Sequence, residues 1–215
     1  MTIDSEATAR AWVEDLPEAD DAAIGRLEKL ISLLAAENQR QNLVSAASLG
    51  EVWQRHIADS AQLLSYVPRE TSAPWLDLGT GAGFPGLVVA ALRPEREVVM
   101  VESRGRRVDW LNQAIDDLDL KMAKVIGNRL EKVESFSAGV ISARAFAPLD
   151  RLLELSVRFS TERTVWLLPK GRSARQELEA LQGWKHMFHV EQSLTDREAG
   201  VIVGQIKGSR KGRKT

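Results

Sequence analysis

Leu27, Leu30, Ile31 and Leu34 recur at the spacing of one helix face, and Leu16-Pro17 with the acidic residues after it marks where that helix begins. A second helix is predicted from Ala47 to Tyr66, carrying Val52, Ile57, Leu63 and Leu64, with a loop from Pro68 to Pro74. From Trp75 the pattern changes to short apolar runs separated by helical stretches, which predicts βαβ units around a parallel sheet. The runs are Trp75–Leu78, Val98–Glu102, Ala123–Ile126, Val140–Ser142, Thr164–Leu168, Lys185–Val190 and Val201–Ile206. The last two lack room for a helix between them, and Thr195, Asp196 and Gly200 suit a turn, so they are expected to pair antiparallel. The expectation is an α/β fold whose seven-stranded, mostly parallel sheet ends in an antiparallel strand. A helical extension over residues 1–70 packs on a core at 71–206, all in one compact unit, and a basic, disordered tail occupies 207–215.

Composition narrows the chemistry. The 215 residues include 44% hydrophobic and 27% charged residues, proportions of a globular chain. With no Cys there is no disulfide framework, thiolate nucleophile or Cys-built zinc site, which fits a reducing cytoplasm. The longest apolar run, Leu87 to Leu92, is far below the roughly 20 residues of a membrane-spanning helix, so the chain is expected to be neither secreted nor membrane-bound. The near-neutral net charge of −1 hides an acidic first segment and a basic end, Lys207, Arg210, Lys211, Arg213 and Lys214. Such a tail either meets a polyanion or stays solvated.

The segment Trp75-Leu-Asp77-Leu-Gly79-Thr-Gly81-Ala-Gly83-Phe84-Pro85-Gly86 ends a strand with a glycine-rich turn and opens a helix. It satisfies the dinucleotide pattern G-x-G-x-x-G, but Phe84 adds bulk, Pro85 removes a donor and Asp77 repels where a pyrophosphate needs free N–H groups. S-adenosylmethionine carries no phosphate and suits an acid beside bare glycines better. Glu102, ending the next run, is placed to accept ribose hydroxyls.

Further segments, Asn42-Leu-Val, Arg55-His56-Ile-Ala-Asp59-Ser60, Glu102-Ser-Arg-Gly-Arg-Arg107, Asn128-Arg-Leu130-Glu131, Ala143-Arg144-Ala-Phe146 and Pro169-Lys170-Gly171, complete a resemblance. Together with the Gly-Phe-Pro-Gly extension of the glycine turn, they resemble the bacterial 16S ribosomal RNA guanine-N7 methyltransferase family, also called the glucose-inhibited division protein B family. The resemblance spans about Asn42 to Lys170. It implies a class I, Rossmann-like methyltransferase fold, S-adenosyl-L-methionine as methyl donor and 16S ribosomal RNA of the small subunit as partner, with the enzyme acting as a monomer. It implies that Gly79 and Phe84 line the donor, Leu130 and Glu131 bound its adenine side, and Arg144 completes the site. Asp77, Gly81, Gly83 and Glu102 join that set from the reading of the residues.

Guanine N7 carries an in-plane lone pair, so methyl transfer needs alignment rather than a base, and positioning alone supplies roughly 7–11 kcal/mol. His56, Asp59 and Ser60 share a helix face and read as a hydrogen-bonded packing cluster rather than a hydrolytic triad. His186 and His189, three apart in a predicted strand, face opposite sides and make no metal site. Arg104, Arg106 and Arg107 read either as a solvated helix start or as phosphate contacts. With Arg55, Arg144, Lys170 and the tail they form a candidate RNA-facing stripe. Two rivals remain at this point, an NAD-dependent oxidoreductase and a non-catalytic RNA-binding assembly factor.

Overall fold

The computed structural model describes residues 2–208. Arg210, Lys211, Arg213 and Lys214 of the predicted RNA-binding tail lie outside the described residues.

The first five strands, β1 (Trp75–Leu78), β2 (Val98–Glu102), β3 (Ala123–Gly127), β4 (Val140–Ala143) and β5 (Val165–Pro169), run parallel. After them come β6 (Lys185–His186), β7 (His189–Gln192), β8 (Gly200–Gly204) and β9 (Ile206–Gly208). The main sheet has seven strands in the order β3-β2-β1-β4-β5-β8-β7, with β8 antiparallel to both neighbours. β1, β2 and β4 are buried at every position, as expected of parallel strands covered by helices on both faces. Alternation sends Leu76, Leu78, Val99, Val101, Ile141, Trp166 and Leu168 to one face, and Trp75, Val98, Met100, Val140 and Leu167 to the other.

Helices α1 (Glu6–Glu14) and α2 (Asp21–Asn38) lie on the Trp75 face. So do the short α3 (Ala46–Gly50) and α4 (Asp59–Ala61), and, between strands, α5 (Gly86–Leu92) and α6 (Gly105–Asp117). The other face is covered by α7 (Leu149–Ser156), which buries Leu149, Leu152 and Leu153, and by α8 (Ala174–Glu179), which buries Ala174. No helix among the described residues is long and apolar enough to cross a membrane.

Three predicted elements are corrected. The helix expected over 47–66 is broken: α3 ends at Gly50, a π-helical turn occupies Trp53–Ala58, α4 follows, and a 3-10 turn closes the segment at Gln62–Tyr66. The reason lies in the acidic N-terminus, where the Glu6 carboxylate accepts the N–H groups of Trp53 (3.0 Å) and Gln54 (2.8 Å) and removes them from a continuous helical ladder. The run 185–190 divides into β6 and β7, so His186 and His189 sit in different strands. The run 201–206 divides at Gly204, where an added Cβ would strike the Met187 carbonyl. Lys207 and Gly208, assigned to the tail, belong to β9.

Two more of the N-terminal acids are structural. Asp20 caps α2 through the Ala23 N–H (2.7 Å), and Glu18 pairs with buried Arg93 (2.7 Å). Glu6→Ala is expected to cost about 1–2 kcal/mol by leaving two helix-start donors unmet. Urea unfolding checks this through a lowered midpoint at unchanged slope.

Candidate active site

The strand order reverses between β1 and β4, and the turns leaving these two strands meet there, where open α/β sheets bind their ligands. β1 leads into the glycine turn. Gly79, Gly81 and Gly83 take φ of +62°, +61° and +104°, a region L-residues seldom adopt. The Phe84–Pro85 peptide is cis, and Pro85 stands just outside α5 as its cap.

Asp77 does not open onto this turn; it is wholly buried beneath it. Its Oδ1 accepts from Ser142 Oγ (2.8 Å) and its Oδ2 from the Gly86 N–H (3.0 Å), while Ser142 in turn accepts from Trp75 Nε1 (2.8 Å). Burial raises the Asp77 pKa, against hydrogen bonds from Ser142 and Gly86 that hold it down. The first N–H of α5 is thereby consumed, and the next, that of Leu87, is donated to the Gly83 carbonyl (2.7 Å). The helix start therefore offers no cradle for a pyrophosphate.

Glu102 binds the opposite side of the turn. Its Oε2 accepts from the Gly81 N–H (3.1 Å), and its Oε1 from those of Ser103 (2.8 Å) and Arg104 (2.9 Å). Arg107 reaches within 3.9 Å of Glu102 and lies against Gly81, so it belongs to this site, whereas Arg104 and Arg106 are exposed. Leu130 is buried in the 3-10 turn after β3 and Glu131 is exposed beside it.

Arg144, immediately past β4, is the centre of a second cluster. Its NH1 donates to Asp59 Oδ2 (3.1 Å) and to the Arg55 carbonyl (3.1 Å), and its NH2 lies 3.1 Å from His56 Nδ1. A guanidinium can only donate, so His56 Nδ1 accepts and the proton of the neutral ring sits on Nε2, a buried atom without a partner among the described residues. The His56 ring stacks on Phe84 at 4.8 Å, and the Arg144 guanidinium lies 5.4 Å from the same ring. Asp59 Oδ1 accepts from Gln62 Nε2 (3.0 Å) and Thr195 Oγ1 (2.9 Å), which ties the cluster to the β7–β8 turn. Three of five guanidinium hydrogens are used; the Nε–H and one NH2 hydrogen have no partner among the described residues.

Beside this cluster opens a cleft of about 740 Å³. Arg55, His56 and Asp59 form one wall, Arg144 to Pro148 the floor, and the ends of β5 and the β7–β8 turn the far side. Lys170 is corrected here: its side chain is only 8% exposed, paired with Glu177 (2.9 Å) and donating to the Ala147 carbonyl (2.6 Å). It braces the floor and is not a free phosphate contact. The predicted packing cluster His56-Asp59-Ser60 is real only in part, since Ser60 bonds the His56 carbonyl while the other two hold Arg144. Nothing in the local spacing marks Ser142 or Gln62, and sheet register alone brings Ser142 opposite Asp77; in the sequence Thr195 reads only as a turn residue and Phe146 only as part of a resembling segment.

Burial, then the charges of Arg144 and Arg55, lower the pKa of His56 from 6.5 to about 3. As pH falls below 6.5 the unfolded chain takes up this proton and the fold does not, so stability present above 6.5 is lost on acidification. His56 is expected to account for about 2 kcal/mol of loss between pH 7 and pH 5. Urea unfolding at both pH values checks this, with His56→Gln removing most of that difference.

A family model described as rRNA small subunit methyltransferase G matches residues 23–198. Ribosomal RNA small subunit methyltransferase G of Erythrobacter litoralis is 59% identical, over 94% of this chain and 97% of that protein. The protein of the same name from Novosphingobium aromaticivorans is 56% identical, over 96% and 90%. Among solved structures, a SAM dependent methyltransferase from Aquifex aeolicus superposes with a TM-score of 0.58 at 15% identity, covering 79% of this chain and 97% of that one. Aeropyrum pernix fibrillarin, solved with natively bound S-adenosyl-L-methionine, gives 0.54 at 16% identity, covering 70% and 75%. These structural likenesses bear on the fold, which is the class I methyltransferase fold. At the level of sequence, the matched length and identities leave one assignment: the chain belongs to the rRNA small subunit methyltransferase G family.

Proposed function

We propose that this chain transfers a methyl group from S-adenosylmethionine to N7 of a guanine in small-subunit ribosomal RNA, acting as a monomer. The observation that carries this reading is the placing of Arg144, held by Asp59, His56 and the Arg55 carbonyl between the glycine turn and a cleft large enough for a nucleoside. The residues present fit the donor. Gly79, Gly81 and Gly83 shape the turn that would meet it, Glu102 borders its ribose side, Leu130 and Glu131 border its adenine side, and Phe84 backs the turn from beneath His56 and Arg144. Asp77 serves from below, by fixing the turn. The closed start of α5 counts against a dinucleotide.

Bound S-adenosylmethionine supplies a methyl carbon that N7 attacks with its lone pair as the C–S bond breaks, so no proton leaves and the positive charge ends on the purine. Arg144 cannot take N7, which must face the methyl group, but its two remaining donors suit the adjacent O6. The residues before it in this network do no proton chemistry: His56 is neutral and holds the guanidinium plane, and Asp59 holds its charge. Exposed Arg55, Arg104 and Arg106 are assigned to RNA phosphates, which orient the substrate without reading its sequence.

The test is methyl transfer from labelled donor to small ribosomal subunits that lack the modification. Arg144→Ala is expected to lower transfer about a hundredfold or more, and Arg144→Lys to rescue little, because an ammonium cannot reproduce the planar fork. An unchanged rate in either variant removes Arg144 from the site. Gly79→Val is expected to abolish donor binding in calorimetry, since its side chain would enter both a left-handed turn and the space of the Phe146 ring. Tighter binding of NAD than of S-adenosylmethionine to the unaltered chain would overturn the assignment of the donor.

A further inference from the structure

The proposed reaction ends with a cationic base in the cleft, and among the groups around it one aromatic ring is placed to face that charge. Of the cleft's acids, Asp59 is bound to Arg144, Gln62 and Thr195, Glu177 to Lys170 and Ser173, and Asp196 caps its own turn through the Glu198 N–H (2.9 Å). Phe84 is buried under His56 and Arg144. Phe146 is different. It is half-buried, lines the cleft and meets no other ring or cation among the described residues, and it also lies directly against Gly79 of the glycine turn. It therefore stands where the donor's turn and the substrate's cleft adjoin. Its position is enforced by Ala145, whose φ of +52° is one of two positive values among the described non-glycine residues. That left-handed step lets Arg144 join the Asp59 cluster while Phe146 covers Gly79, and strain of this kind persists where the surroundings demand it.

We propose that Phe146 is a further catalytic residue, presenting the aromatic face that the target guanine meets as it gains positive charge. This rests on the methyl-transfer reading above. A ring quadrupole attracts a cation over its face, by about 0.5–2 kcal/mol depending on desolvation, and attracts the neutral base less. The ring would then favour the late, charged stage of transfer over the bound substrate, which is the condition for acceleration.

The experiment replaces Phe146 with mono-, di- and trifluorinated phenylalanine, which drain the ring's electron density at nearly constant shape. In single-turnover transfer to small subunits the rate is expected to fall stepwise, reaching about a tenfold loss with the trifluoro ring. A second readout needs no donor: fluorine NMR on the same proteins follows binding of 7-methylguanosine monophosphate and guanosine monophosphate. Preference for the methylated, cationic nucleotide is expected to shrink along the series. A flat rate and a flat preference overturn the proposal and make Phe146 a packing residue. A preference that instead disappears with Asp196→Asn assigns the charge to that carboxylate and also overturns it. The two readings fail separately: no transfer by the unaltered chain sinks the reaction, whereas transfer with a flat fluorine series sinks the role of Phe146 alone.

Discussion

The buried carboxylate of Asp77 is the point on which the glycine turn depends. A buried carboxyl group costs several kcal/mol unless its oxygens find hydrogen-bond partners, and here they find them on two elements, a helix start and the neighbouring strand. One is the start of α5, through Gly86; the other is β4, through Ser142, which Trp75 completes from β1 itself. The turn cannot shift without stripping that carboxylate of partners. Its glycines are thus held in left-handed conformations by a knot below rather than by their own preference.

Glu102 repeats the device one strand over, binding the turn at Gly81 and the approach to α6 at Ser103 and Arg104. With one acid beneath the turn and another beside it, the backbone surface is set in advance of any ligand, which lowers the ordering cost of binding. The Arg144 cluster is built otherwise. It gathers side chains from the N-terminal helical segment, the end of β4 and the β7–β8 turn, elements far apart in the chain. No single element positions the guanidinium; the agreement of three does.

How much of this was legible in the sequence follows the range of the forces involved. The parallel strands and the glycine turn were readable because burial on two faces and positive φ leave local marks, apolar runs and clustered glycines. The break in the 47–66 helix was not, since its cause is a carboxylate at Glu6 that only the tertiary fold brings near. Lys170 looked like a surface charge because its partner, Glu177, lies on the following helix, reached only after a turn at Gly171. Asp77 was placed in the right neighbourhood and given the wrong exposure, for spacing reports position along a strand and says little about which face is dry. Arg144, His56 and Asp59 each stand out in the sequence, but their mutual contact belongs to the topology.

The junction of the segment before α1 with the β7–β8 turn bears on when the site can exist. The Ile3 N–H donates to the Leu194 carbonyl, and Gln54 reaches both the Ile3 and the Thr195 carbonyls while Thr195 itself secures Asp59. The Arg144 cluster is therefore closed by residues that leave the translating ribosome more than a hundred positions after the glycine turn. A nascent chain carries the glycine turn long before it carries a finished cleft. For a protein whose proposed substrate is part of the particle that makes it, synthesis itself then separates manufacture from action.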